Sequence, residues 1–218
     1  MSSTTARVAI IGAGALGCAL LPRLMHGRIV GITLIDGDKV EARNLSRQPL
    51  FSPSDVGEFK VDALRAWIPS RESQVLLQAE ARFLDAGNAM DLLRGHDAVA
   101  DCTDDLHAKD LIDCVCAELR IPLVSGALHR DQGQVLVLHA NDGGGARSRS
   151  DVFAGRIGPD QDGCDMQLVP MHAIEAVAQR MSDAIKAVLD NRHLVNGELE
   201  LYEGAQRKWL TFSTAQAW

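Results

Sequence analysis

The stretch IIGAGALG, residues 10 to 17, lies between an apolar run and a segment of helical period. It places Gly12, Gly14 and Gly17 at G-x-G-x-x-G spacing. In such a strand–turn–helix unit the first glycine permits a tight turn, the second lets a phosphate approach the backbone, and the third allows close packing. The free N–H groups at the helix start attract an anion. The motif therefore predicts nucleotide binding without identifying the nucleotide.

Beyond this turn, β-branched apolar runs alternate with segments of helical period. This alternation predicts an α/β fold: a Rossmann-like, mostly parallel sheet with helices on both faces. The predicted strands are 7–11, 29–35, 73–80, 96–102, 121–127 and 133–140. The predicted helices are about 14–25, 56–68, 88–95, 105–120 and 165–191. Antiparallel C-terminal strands are expected in a hairpin, at 198–204 and 207–213.

Bulk composition limits the functional classes. The formal net charge of −7 argues against a general nucleic-acid binder and against docking on anionic membranes. The five cysteines are odd in number and scattered, which favours a reducing cytoplasm over a disulfide framework. No stretch is long and apolar enough to span a bilayer. We expect one domain over residues 1–218, with a mobile loop at 141–165 that is rich in Gly, Ser and Asp.

A second motif is the charged loop LIDGDKVEARNLSRQPLF, residues 34 to 51. Asp36 ends the second predicted strand, where a carboxylate can accept from ribose hydroxyls. Asn44, Arg47 and Lys60 follow it and supply an amide and two cations, a counter-charge suited to a triphosphate. A glycine turn and a ribose acid alone would also suit an NAD-dependent oxidoreductase, which remains an alternative.

The third motif is AVADCTDD, residues 98 to 105. It brings carboxylates to the carboxyl edge of the predicted parallel sheet, where ligands bind. Mg²⁺ takes one or two carboxylates together with phosphate oxygens, so one of these aspartates is a candidate metal ligand. Asp104 or Asp105 can instead cap the following helix, and one can cap while the other meets the metal.

Together these motifs resemble the ThiF/MoeB/HesA-type adenylyltransferase family, which adenylates ubiquitin-like and sulfur-carrier proteins. The series D-x-D-x-V-E-x-x-N-L-x-R-Q, Lys60 and DCTDD carries the resemblance, which extends over most of the chain. It implies a single ATP-binding adenylation domain, with Asp36 on the ribose and Asp104 on Mg²⁺. The nucleotide-binding residues it implies are Gly12, Gly14, Gly17, Asp36, Asn44, Arg47, Gln48, Lys60 and Asp104.

The reaction that the resemblance implies is attack by a partner protein's C-terminal Gly-Gly carboxylate on the α-phosphate of ATP, releasing pyrophosphate, for sulfur transfer in cofactor biosynthesis. Arg47, Lys60 and Asp104 are the implied catalytic residues. Cys164 is a fourth candidate, since members of the family can carry a cysteine there that bonds with the carrier or handles sulfur. An unreactive thiol in a loop is the alternative for Cys164. The resemblance also implies a homodimer. A non-catalytic partner subunit of an adenylating enzyme remains the other alternative.

The cysteines and histidines complete the set of candidates. Members of the bacterial type often bind zinc through two Cys-x-x-Cys pairs, which this chain lacks, so we expect no zinc. Cys114 and Cys116 are two apart on a predicted helix and therefore point to different faces. His129 and His172 are the histidines expected near the site, each more simply explained as a structural residue.

Overall fold

The computed structural model describes residues 5–68, 75–140, 148–153, 168–190 and 196–213, and these ranges hold eight strands and six α-helices. The strands are β1 (Ala6–Ile11), β2 (Ile29–Ile35), β3 (Leu76–Glu80), β4 (Ala98–Asp101), β5 (Leu123–His129), β6 (Gln132–Leu138), β7 (Glu198–Glu203) and β8 (Lys208–Ser213). The helices are α1 (Ala15–Leu24), α2 (Lys60–Trp67), α3 (Ala89–Leu93), α4 (Leu106–Leu119), α5 (Arg149–Val152) and α6 (Met171–Leu189).

The strands form one sheet in the order β3-β2-β1-β4-β5-β6-β7-β8. The pairs from β3 through β5 are parallel, and those from β5 through β8 are antiparallel. β1 lies between β2 and β4, so the chain reverses its direction of travel across the sheet at β1. In open α/β sheets this switch point is where ligands bind.

Helices cover both faces of the sheet because the side chains of the central strand alternate between them. Val8 and Ile10 of β1 belong to the cluster that includes side chains of α1, α2 and α6. Ala9 and Ile11 belong to the cluster that includes side chains of α3 and α4. All four β1 residues are at most 3 % exposed. Burial on both faces explains why the strand is continuously apolar after the exposed Arg7.

The predicted fold class is confirmed, with two local differences. The second helix begins at Lys60 rather than at residue 56, because Phe59 forms an antiparallel bridge with Lys39 and stays extended. The last helix begins at Met171, after Pro170 in an extended conformation.

The predicted mobile loop is only partly described. Residues 148–153 of it are described: they hold the short helix α5, with Ser148 as its N-cap and Phe153 as its C-cap. The remainder of the predicted loop lies outside the described residues. In the part of the chain that the structure describes, no helix combines the length and the apolar character needed to cross a bilayer.

Candidate functional site

A pocket of about 610 Å³ opens at the carboxyl edge of the parallel strands. Its walls come from the β1–α1 turn, the segment after β2, the segment after β4, and the end of β5. It therefore occupies the switch point. Nearly all the predicted nucleotide-binding residues line it: Gly12, Gly14, Asp36, Asn44, Arg47, Gln48, Lys60 and Asp104.

The three glycines of the turn have different environments. Gly12 has a φ of +93°, and a Cβ there would lie 2.9 Å from the carbonyl oxygen of Cys102. A Cβ on Gly17 would lie 2.0 Å from the carbonyl oxygen of Gly12, so Gly17 allows close packing and lies behind the turn rather than in the pocket wall. Gly14 faces open space and begins α1 without a side-chain cap. It leaves room for a phosphate at a helix N-terminus.

The turn holds the Asp36 carboxylate in place. Its Oδ2 accepts a hydrogen bond from the backbone N–H of Ala13 at 2.6 Å, and its Oδ1 accepts one from that of Asp38 at 2.7 Å. Asp36 is 8 % exposed and lies in the pocket wall. A carboxylate has about four lone-pair sites, so each oxygen can still accept from a ribose hydroxyl.

Lys60 is held at the start of α2 by the neighbouring backbone. Its N–H donates to the Asp38 carbonyl at 2.9 Å, and its Nζ donates to the Asp38 carboxylate at 2.8 Å. The Lys60 side chain is 8 % exposed, whereas that of Asp38 is 54 % exposed. The ammonium group is thus fixed in a largely dehydrated position on the pocket wall, with a hydrated partner behind it.

The segment from Glu41 to Gln48 contributes three polar side chains, which differ in whether a partner in the protein already occupies them. The Asn44 Oδ1 accepts from the N–H of Glu41 at 3.0 Å and so stabilises a turn of 3-10 helix. Arg47 is half-buried, and within the described ranges its side chain makes no hydrogen bond or ion pair. The Gln48 Oε1 is buried and has no partner among the described residues. Arg47 and Gln48 are therefore free to meet a ligand.

A buried polar cluster supports the opposite wall. Asp101 accepts from Lys109 Nζ at 2.8 Å, from Ser125 Oγ at 2.6 Å, and from the N–H and hydroxyl of Thr103 at 3.0 and 2.7 Å. Lys109 also donates to the Gly126 carbonyl at 2.9 Å. Burial by itself would raise the pKa of Asp101, but the Lys109 ammonium and the hydrogen bonds hold that pKa below its usual value. The cluster ties the end of β4 to β5 and α4.

Asp104 and Asp105 follow Asp101 of this cluster in sequence, and they differ in whether they cap the following helix or face the pocket. Asp105 caps α4, because its Oδ1 accepts from the N–H of Ala108 at 2.7 Å. Asp104 is exposed and lines the pocket. Among the described residues no group of three or more His, Cys, Asp or Glu side chains could hold a metal. Asp104 alone fits Mg²⁺ only if phosphate oxygens and waters complete its shell, as is usual for that ion.

The remaining candidates are the histidines and cysteines, and they differ in their position relative to the pocket. His129 lines the pocket, but His172 does not; its ring packs against Tyr202 at 6.4 Å between centroids. The expectation that His172 lies near the site is wrong. Cys114 is exposed and Cys116 buried, as their spacing predicts. Cys164 lies outside the described residues, and its role stays a prediction.

Sequence reasoning missed Lys109, Ser125 and Arg149, which take part in or line the site. A lysine one turn into the helix after an acidic strand end was the available signal for Lys109. No local pattern marks Ser125 or Arg149.

Comparison with known proteins shows the family to which the chain is similar. A model of the ThiF family matches residues 3–217. The molybdopterin-synthase adenylyltransferase of Escherichia coli is 36 % identical over 137 residues, which are 63 % of this chain and 55 % of the relative. The adenylyltransferase and sulfurtransferase MOCS3 of Aedes aegypti is 33 % identical over 202 residues, 91 % of this chain and 45 % of the relative.

The chain thus spans about half the length of these curated relatives. The crystal structure of E. coli MccB superimposes with a TM-score of 0.79 at 20 % identity, covering 95 % of this chain and 62 % of that one, and supports the fold alone. The family model spans nearly all of the sequence, and the chain belongs to the ThiF family.

Proposed function

We propose that this chain binds ATP in the pocket at the switch point and adenylates the C-terminal Gly-Gly carboxylate of a small ubiquitin-like or sulfur-carrier protein. One observation carries the proposal: the fixed Lys60 ammonium lies in the same pocket as Gly14, Asp36 and the Arg47 guanidinium, which has no ion-pair partner among the described residues. Two cations beyond a ribose acid suit a triphosphate. The names of the adenylyltransferase relatives support the same reaction.

The reaction needs no general base, because the nucleophile is already a carboxylate. One of its oxygens forms a bond to the α-phosphorus of ATP. The bond from that phosphorus to the oxygen bridging to the β-phosphate breaks, and its electron pair leaves with pyrophosphate. The products are an acyl-adenylate and pyrophosphate. The protein contributes by positioning the two reactants and by neutralising the charge that accumulates on phosphate oxygens.

Five pocket residues have a part in this scheme. Asp36 holds the ribose, and Gly14 offers the helix N-terminus to a phosphate. Lys60 is a compact charge suited to the α-phosphate, whereas Arg47 is suited to paired terminal oxygens. Mg²⁺, held by Asp104 and phosphate oxygens, would neutralise further negative charge. A homodimer remains a prediction from the family resemblance, and a cytoplasmic location remains a prediction from the scattered cysteines.

ATP–pyrophosphate exchange tests the proposal. We expect label from pyrophosphate to enter ATP only when a β-grasp protein ending in Gly-Gly is present. Arg47→Ala should abolish exchange and leave the urea midpoint unchanged. Arg94→Ala, a matched change of an exposed arginine outside the pocket, should leave both unchanged. Tight NAD binding with no exchange would support the oxidoreductase, and unaltered exchange in Arg47→Ala would refute the role of Arg47.

A further inference from the structure

Arg149 is a buried cation in the pocket wall that the scheme above does not use. It is the first residue of α5, its side chain is 9 % exposed, and it lines the pocket. Its Nε and Nη1 are buried without a hydrogen-bond partner among the described residues. The carboxylate of Asp110 lies 3.5 Å from Nε, beyond a good hydrogen bond, and is 46 % exposed.

The backbone and an aromatic ring hold this guanidinium in place. The Asp113 Oδ2 accepts from the backbone N–H of Arg149 at 2.8 Å, while its Oδ1 lies 2.7 Å from His139 Nε2, and both side chains of that pair are buried. The Arg149 guanidinium lies over the Phe153 ring, 4.8 Å from its centroid. Neither the main-chain contact nor the ring contact uses the guanidinium N–H groups of Arg149.

A buried guanidinium whose N–H groups lack acceptors destabilises the folded protein unless a ligand supplies those acceptors. Lys109, the other cation on this side of the pocket, is already neutralised by Asp101 at 2.8 Å. Lys60 and Arg47 follow β2, on the opposite side of the switch point. The wall formed by β4, β5 and α5 thus has one cation, Arg149, with two guanidinium nitrogens that lack a hydrogen-bond partner among the residues described.

We propose that Arg149 binds an oxyanion in this pocket, and that the oxyanion is the carboxylate of the acyl substrate. The inference rests on the proposed function, since it names the residue that receives the attacking group. A nucleotide phosphate offers the same chemistry but would be met by Lys60 and Arg47 on the other side. A planar guanidinium presents two parallel N–H donors to one carboxylate, which orients it as well as binding it.

Calorimetric titration of the full chain tests this assignment. The probes are MgATP, a synthetic peptide ending in Gly-Gly with a free carboxylate, and the same peptide as its C-terminal amide. The peptides are titrated in the presence of a non-hydrolysable ATP analogue. The proteins are the wild type, Arg149→Gln, Arg149→Lys and the control Arg94→Gln.

We expect Arg149→Gln to weaken binding of the free-carboxylate peptide about tenfold or more. It should leave MgATP and amide affinities unchanged, Arg149→Lys should recover part of the loss, and the control should match the wild type. A loss confined to MgATP, equal affinities in all four proteins, or no peptide binding by the wild type would overturn the assignment. If the wild type shows no ATP–pyrophosphate exchange but binds the free-carboxylate peptide in a way that depends on Arg149, the adenylation proposal is refuted and the carboxylate site is supported.

Discussion

Replacing Lys109 with methionine tests how the polar cluster supports the site. The Lys109 Nζ lies 2.8 Å from Asp101 Oδ2, and the two side chains are 3 % and 1 % exposed. Removing one member of a buried pair costs about 3–5 kcal/mol, because the remaining charge is left uncompensated. Thr103 and Ser125 still donate to Asp101, so we expect a loss near the lower end, about 3 kcal/mol of unfolding free energy.

Urea denaturation at several pH values makes this prediction specific. In the wild type the pKa of Asp101 is lowered, so its contribution is present above the unfolded pKa of about 3.9 and is lost as pH falls through the folded pKa. Without Lys109, burial raises the pKa of Asp101, and protonation then favours the folded variant. The free-energy difference between wild type and Lys109→Met should therefore narrow as the pH falls from 7 towards the unfolded pKa of about 3.9.

A double variant provides the control. Lys109→Met combined with Asp101→Asn removes both charges and should be more stable than Lys109→Met alone, since no buried charge remains unpaired. Two results together would refute this account of the cluster. The first is a loss of unfolding free energy below about 1 kcal/mol in the single variant, as expected for an exposed ion pair. The second is a stability difference between wild type and variant that does not change with pH.

Three further experiments test the glycine turn, the aspartate that would bind the ribose, and one buried thiol. Gly17→Ala places a Cβ 2.0 Å from the Gly12 carbonyl oxygen, and we expect a loss of about 1–3 kcal/mol in urea denaturation; full stability would contradict the packing role. In Asp36→Asn, the amide N–H₂ faces one of the two backbone N–H groups that donate to the carboxylate in the wild type. Calorimetry should therefore show MgATP affinity lowered about tenfold. Equal affinity would contradict the role of Asp36 in binding the ribose. Burial raises the pKa of Cys18 to about 12, so iodoacetamide at pH 8 should label exposed Cys114 and spare Cys18 until urea is added, as peptide mapping can show; rapid labelling of native Cys18 would contradict its burial.

The parts of the fold that sequence predicts well are those set by local pattern. The β1–turn–α1 unit was predictable because the turn itself requires glycine: Gly12 adopts a φ of +93°, and Gly17 packs against the Gly12 carbonyl oxygen. Asp36 was predictable because it ends an apolar strand. The hairpin of β7 and β8 was predicted from two short neighbouring segments that combine polar with apolar or aromatic residues, with a turn between them.

The unpredicted features depend on contacts between distant segments. Lys109 looks like a surface lysine on α4 until β4 and β5 pair and bring Asp101 and Ser125 to its ammonium group. Arg149 lies in a stretch without periodicity, and its position follows from a backbone bond to Asp113 on α4, 36 residues earlier. Such placements result from tertiary packing, which no window of sequence contains.

The central claim is that this pocket binds the triphosphate of ATP, and calorimetric titration of the wild type and Lys60→Met with MgATP and with NAD tests it most directly. Asp38 is 54 % exposed, so water can hydrate it when its partner is removed, and the variant should fold. The account predicts heat with MgATP, a Kd weakened about tenfold or more in Lys60→Met, and no heat with NAD. Equal MgATP affinities in the two proteins, or NAD binding in place of ATP, would contradict it.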